Sequence, residues 1–523
     1  MNRIISAAGG TQAITALRRV WPMALLTLVL VALAIPAGMM IAPAFTGPNQ
    51  PAGAGEAAAP VWQRTPLDLS VPQGITQLSD SAAVPWPDAV AAQLDETLKT
   101  SGAGTFTGVV QDAITGQVLF DRGAANSRIP ASNMKLLTAV AALRAIGPEK
   151  RFSTRVLAGP AADSVVLTGS GDVLLGAGES SPDHVMGHAG LATLAALTVR
   201  SLKKKGVTGE ISVVVDDSLF SGASLNPAWS LEDVAAGETA PLFPLALNSA
   251  RFDPLKTTGP RPQDSAMTAA KAFAAQLETA GAAAGLTVAP GVARFEGRQA
   301  DGETADGGPA SGEPAKGKAA GGEAATGGHA AGEPAVLAEV QSATVSQQVD
   351  LMLQTSDNYL AEVLGRMSAV AAGQPASNEG ATAAVLKQLT ELGIPTDSMR
   401  VADVSGLTLA NQVSPRQFSE VVRAITSGPD TRLRAALAGF PVAGLTGTLD
   451  DRYADSSTAR GAGLVRAKTG TLNSVIALSG YVVDADGRLL VFSFIGNGLT
   501  SGAGGNKVAL DRSASALASC GCR

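Results

Sequence analysis

Ser132-Asn133-Met134-Lys135-Leu136-Leu137-Thr138-Ala139-Val140-Ala141-Ala142-Leu143 decides how the rest of the chain is read. Met134, Leu136, Leu137, Val140, Ala141 and Leu143 leave little polar face, so the run after Pro130 predicts a mostly buried helix with Ser132 and Lys135 in its first turn. Residues three apart share a helical face, which brings the Lys135 amine to the Ser132 hydroxyl. The start of such a helix also offers free N–H groups and a positive dipole end, which favour a negative oxygen beside the serine. A serine attacks only after a base takes its proton, and lysine serves as that base where burial or a neighbouring cation lowers its pKa. His184, His188 and His329 stand in no nucleophile pattern, and His184 with His188 lacks an intact ligand set, so no metal is assigned.

Two further runs supply what a Ser-Lys pair lacks. Ser356-Asp357-Asn358 falls between the helical patterns of Val349 to Leu353 and Tyr359 to Leu364, so it is expected at a helix junction facing the cleft. A second serine there relays a proton, and an amide both donates and accepts. Lys468-Thr469-Gly470 closes a strand-like stretch, Gly463 to Thr469, which Val475 to Val483 and Leu489 to Ile495 follow. Lys468 is expected as the cation that lowers Lys135, and Gly470 as the place where an acyl group approaches the backbone closely. Upstream, Thr105 to Asp112 and Gln117 to Asp121 predict a strand hairpin, and Lys507 to Ala518 predicts a helix over one face of the sheet. Each run alone is an ordinary cap, turn or strand end. Their order, with a helix start for the first and a strand for the last, makes them one site.

At 523 residues the chain exceeds one ordinary core. A formal charge of -6 provides no basic field and argues against nucleic acid as a partner. Cys520 and Cys522 are too few for a disulfide framework or a four-ligand metal site, and they receive no role. From Val20 to Phe45 no residue is charged, and Arg3, Arg18 and Arg19 precede the run, so residues 1–19 are expected in the cytoplasm and 20–45 as a membrane anchor. A cleavable signal peptide is the alternative; its only nearby small-x-small site, Ala42-Pro43-Ala44, has proline in the middle. Residues 46–86 read as a Pro/Ala-rich tether, and 297–334, dominated by Gly, Ala, Glu, Thr and Pro, as a disordered insertion.

The three runs are the signature of class A β-lactamases and penicillin-binding proteins. Further stretches, Gly169-Ser170-Gly171-Asp172, Asp216-Asp217-Ser218-Leu219-Phe220-Ser221-Gly222, Asp403-Val404-Ser405-Gly406-Leu407 and Gly444-Leu445-Thr446-Gly447-Thr448-Leu449, occur in family order. On these residues the chain resembles the D-alanyl-D-alanine carboxypeptidase/endopeptidase family of low-molecular-mass penicillin-binding proteins, peptidase S13 or the DacB type, over about Pro87 to Asn497. About 220 residues between Lys135 and Ser356 leave room for the domain this family inserts there, unlike the close spacing of β-lactamases. The resemblance implies an α/β (α+β) fold: a transpeptidase-like domain, 87–160 and 341–523, with an antiparallel sheet flanked by helices, interrupted by an inserted region, 161–340.

It also implies roles. Ser132 would be the nucleophile, Lys135 its base and Ser356 the relay to the leaving D-alanine. Asn358 would bind the substrate amide, Lys468 and Thr469 the terminal carboxylate, and the N–H groups of Ser132 and Thr471 the oxyanion. Asp216 would face the amine of the stem-peptide diamino acid; the competing reading is a turn aspartate at a strand end. The implied activity is extracytoplasmic, cofactor-free trimming of D-alanine from peptidoglycan stem peptides, extending to D,D-crosslinks, with β-lactam antibiotics as acylating inhibitors. A β-lactamase and a catalytically silent wall-binding protein of the same fold are the alternatives.

Overall fold

The computed structural model describes residues 78–295, 334–500, 502 and 504–521. The expected segments 1–19 and 20–45, the linker up to residue 77 and all but the last residue of the 297–334 tract lie outside the described residues. Among the described residues no helix is long and apolar enough to cross a membrane.

Helix α1 (Pro87–Thr97) leads to β1 (Thr105–Asp112), β2 (Val118–Arg122), a 3₁₀ turn at Ala131–Asn133 and α2 (Met134–Ala145). The chain then leaves for a second sheet through β3 (Ser153–Ala158), β4 (Ser164–Gly169), α3 (Leu191–Lys204), β5 (Gly209–Asp216), α4 (Leu231–Ala236), α5 (Ser265–Gly281) and β6 (Leu286–Arg294), and returns by β7 (Val336–Gln341). Helices α6 (Val345–Thr355), α7 (Asn358–Ala371), α8 (Asn378–Glu391) and α9 (Pro415–Ser427) follow, then β8 (Arg466–Leu472), β9 (Val475–Val483), β10 (Leu489–Asn497) and α10 (Lys507–Ser519).

The first sheet runs β2-β1-β10-β9-β8, antiparallel throughout. Its centre is β10, which is buried along all but its last residue. Leu490, Phe492 and Phe494 pack with Val90 and Leu94 of α1 and Leu510 and Leu517 of α10, whereas Val491 and Ile495 join the core around α2 and α9. With helices on both faces the strand reads as a nearly continuous apolar run, interrupted at Ser493, rather than an alternating one. The last motif strand is β8, shifted three residues later than the expected Gly463 to Thr469.

The second sheet runs β6-β5-β4-β3-β7, with β4, β5 and β6 parallel and β3 antiparallel to both its neighbours. The parallel pairs need crossovers, and α3 and α5 provide them, packing Leu194, Phe273 and Leu277 against Val165, Leu167, Val213 and Val215. β3 precedes the expected boundary at residue 161, yet it belongs to this sheet because its ladders run to β4 and β7.

A buried ion pair closes the far end of the first sheet. Asp112, fully buried, accepts two hydrogen bonds from Arg488 and others from the Ile114 and Thr115 N–H groups, and Arg488 also donates to the Asp80 carbonyl at 2.7 Å. This ties the β1–β2 turn, the β9–β10 turn and the chain before α1. Arg488→Ala strands the carboxylate, and chemical denaturation is expected to show a loss of about 3–5 kcal/mol.

Candidate active site

Ser132 does not start the α-helix itself; it sits on the 3₁₀ turn just before α2, one turn from Lys135. Ala131 ahead of it is left-handed, with φ 48°. The turn is held from three sides. Asn133, fully buried, donates to the Ser479 hydroxyl of β9 at 2.7 Å, which in turn bonds Ser493 of β10 at 2.8 Å. A Cβ on Gly470 would stand 2.9 Å from the Pro130 carbonyl and 3.1 Å from both the Ala131 Cβ and the Ser132 nitrogen. A Cβ on Gly406, whose φ is +84°, would stand 2.0 Å from the Ala131 carbonyl. Gly470 therefore has a nearer reason than the expected approach of an acyl group: it lets β8 lie against the nucleophile turn.

The Lys135 amine, fully buried, lies 3.0 Å from Ser132 Oγ, 2.6 Å from Asn358 Oδ1 and 2.7 Å from the Ser405 carbonyl. Two of these partners only accept, so they take the two hydrogens of a neutral amine and leave its lone pair toward the Ser132 hydroxyl. Asn358 is oriented by its other end, where Nδ2 donates to the Glu238 carbonyl at 3.0 Å. Its second N–H stays available to a ligand. Burial brings Lys135 down to about 8, against the opposing charges of Asp403, Asp357, Glu362 and Glu238.

Ser356 stands where expected, at the junction of α6 and α7, and its left-handed backbone, φ 58°, ends α6. Asp357 then caps α7, accepting from the Leu360 N–H at 3.0 Å, and its other oxygen meets Arg251 at 2.8 Å. Lys468 approaches from β8, 3.0 Å from Ser356 Oγ and 2.8 Å from the Thr469 carbonyl. Burial, and then the Lys135 charge, hold Lys468 well below the ordinary lysine value. Carboxylates face Lys135, and the repulsion between the two amines is mutual, so each opposes the charged form of the other.

The cleft above these groups encloses about 830 Å³ and is lined by Ser132, Ser356, Asn358, Thr469 and Thr471. Lys135 and Lys468 lie beneath its floor, fully buried. Thr469 Oγ1 is fixed by Thr448 at 2.7 Å. Asp233 and Glu238 stand on the wall from the inserted region, and Arg452 and Lys507 also line the cleft. Asp216 is not brought in: it ends β5, its carboxylate accepts from the Ser218 N–H at 3.0 Å, and it is not among the residues lining this cleft. Among the described residues no group of three or more His, Cys, Asp or Glu side chains could hold a metal ion.

Sequence reading missed a stripe on α7. Asn358, Glu362 and Arg366 recur every four residues, and all three are buried. Arg366 packs over Phe220 and donates to the Ala223 carbonyl at 2.9 Å, gripping the inserted region. The four-residue spacing was the available signal.

A sequence profile described as the D-Ala-D-Ala carboxypeptidase 3 (S13) family matches residues 90–300 and 316–516. A carboxypeptidase of Mycobacterium tuberculosis is 34% identical over 87% of this chain and 89% of its own. Carboxypeptidase DacB of Mycolicibacterium smegmatis is 33% identical over 91% of this chain and 93% of its own. Penicillin binding protein 4 (dacB) of Haemophilus influenzae, a crystal structure, superposes with a TM-score of 0.59 at 20% identity, covering 80% of this chain and 97% of that one, which shows a shared fold. A second structure of that protein holds a β-lactam.

Proposed function

This chain belongs to the D-Ala-D-Ala carboxypeptidase 3 (S13) family, and on that premise we propose that its cleft performs acyl transfer with Ser132 as nucleophile and Lys135 as base. The enzyme is a serine D,D-peptidase that removes terminal D-alanine. The observation that carries the assignment of roles is the Lys135 amine, 3.0 Å from Ser132 Oγ, with its other two partners able only to accept.

Lys135 takes the Ser132 proton as Oγ bonds to the carbonyl carbon of the penultimate D-alanine. The carbonyl oxygen becomes an oxyanion between the N–H groups of Ser132 and Thr471, a stabilisation of about 3–4 kcal/mol per donor. The C–N bond then breaks, and the proton passes from Lys135 through Ser356 to the departing amine. Water, deprotonated along the same path, cleaves the ester and returns the proton to Ser132. Asn358 orients the peptide with its second N–H. Thr469 meets the terminal carboxylate, and Lys468 supports it from beneath, behind Ser356.

The substrate is the stem peptide of peptidoglycan, and β-lactams enter by the same ester. A D,D-crosslink presents the same bond with a longer leaving group, and the reading extends to it. The uncharged run at residues 20–45 tethers the enzyme on the outer side of the cell membrane; it lies outside the described residues. The wall residue for a substrate amine, proposed as Asp216, sits on the inserted region outside the cleft lining, which leaves Asp216 the weakest member of the set.

The test is intact-mass analysis of the full-length protein with benzylpenicillin, followed by peptide mapping, beside an assay of D-alanine release from a D-alanyl-D-alanine-ended peptide. One adduct on the peptide that contains Ser132, with D-alanine released, is the expected result. An adduct on another residue, or none, overturns the assignment.

A further inference from the structure

Glu362 is 1% exposed and lies one helical turn beyond Asn358 on α7. One of its oxygens accepts from the Val404 N–H at 3.0 Å and the Ser405 N–H at 2.8 Å. The opposite edge of the same two residues is held by α2: Thr138 donates to the Val404 carbonyl at 2.5 Å and Lys135 to the Ser405 carbonyl at 2.7 Å. A segment two residues long is thus gripped by its N–H groups from one helix and by its carbonyls from another. Asp403, just before it, fixes the rest of the loop through the N–H groups of Gly406 and Thr408 and the side chains of Asn411 and Trp229.

The two acceptor contacts do not require an acid. A glutamine in this place accepts the same two N–H bonds, without the cost of a buried charge. Among the described residues Glu362 belongs to no ion pair. The charge therefore needs another reason, and Lys135 is the buried base on which it acts.

We propose that Glu362 is a positioning residue for Lys135, setting through the Val404–Ser405 backbone where the amine sits and through its own charge how readily that amine gives up a proton. The proposal rests on the reading of Lys135 as the base. The groups that act on this pair are Asp403 from the loop, Asp357 and Glu238 around Lys135, the Lys468 amine from β8, and Arg366 on α7 itself, which Glu379 of α8 also faces. Burial, and then Asp403, push the Glu362 carboxyl up to about 7. Its charge thus changes close to where Lys135 titrates. An ionised Glu362 favours the ammonium, so removing the charge lets Lys135 become neutral at lower pH.

The experiment is the pH profile of benzylpenicillin acylation and of D-alanine release, measured on the full-length wild type, Glu362→Gln and Glu362→Ala. Glu362→Gln keeps both acceptor contacts. It is expected to react up to about twofold faster than the wild type between about pH 7 and 8, where wild-type Glu362 is ionised and Lys135 still holds its proton, and to converge with it near pH 6, where Glu362 is protonated, with the same plateau. Glu362→Ala loses the acceptors too and is expected to be slower at every pH, about tenfold, with a lower Tm. A Glu362→Gln profile that superimposes on the wild type, or falls by one factor at all pH values, overturns the inference and leaves Glu362 a structural group. A wild type with neither adduct nor D-alanine release overturns the underlying assignment of Lys135, and this inference with it.

Discussion

Lys135→Met is expected to slow both penicillin acylation and D-alanine release by about ten-thousand-fold, the upper range for loss of a general base. Methionine fills the buried channel without an amine, so Asn358 Oδ1 and the Ser405 carbonyl lose a donor but α2 keeps its packing. The wild type reacts through the neutral amine. With Lys135 near 8, its rate climbs about tenfold per pH unit below that value and flattens above it. The residual rate of the variant, having no amine beside Ser132, is expected to lack this limb. Stopped-flow acylation across the pH range measures both features, and a variant that keeps the wild-type limb places the base elsewhere.

Lys468→Ala is expected to lower kcat/KM for D-alanine release by about a hundred- to a thousand-fold. The loss has two sources, the field that supports the substrate carboxylate and the 3.0 Å contact that orients Ser356. They separate with a substrate amidated at its C-terminus. The wild type loses activity toward it, whereas Lys468→Ala is expected to lose much less, since the interaction energy belongs to the pair. Equal losses in both enzymes would assign Lys468 to Ser356 alone. An arriving carboxylate favours the ammonium form of Lys468, against burial and the Lys135 charge.

The motifs were legible because each owes its place to local rules. Ser132 and Lys135 are three apart, Ser356 ends one helix as Asp357 caps the next, and Lys468 lies on a strand paired in register with β9. Those rules say nothing about partners 200 or more residues away. The Ser405 carbonyl that takes an amine hydrogen is 270 positions from Lys135, and no periodicity points to it. Glu362 and Arg366 escaped notice for another reason. On an amphipathic helix charged residues mark the solvent face, but α7 is buried on nearly every side, so its charges point inward to other elements. The carboxylates that act against the lowering of Lys135 were not legible either, because they come from the 403–406 loop, α7 with its cap, and the inserted region, all distant in sequence. Asp216 followed a signature of residue types, while its position at the end of β5 depends on how the second sheet is set beside the cleft.

Gly406 and Gly470 close on the nucleophile turn from two sides, with no room for a methyl group against Ala131. A single base change in the first or second place of a glycine codon always introduces a side-chain carbon or stops the chain. Every such step at these two positions disturbs the serine before it alters the fit of an antibiotic. Under β-lactam selection, a change at either glycine that slows acylation by the drug is therefore expected to slow D-alanine release with it.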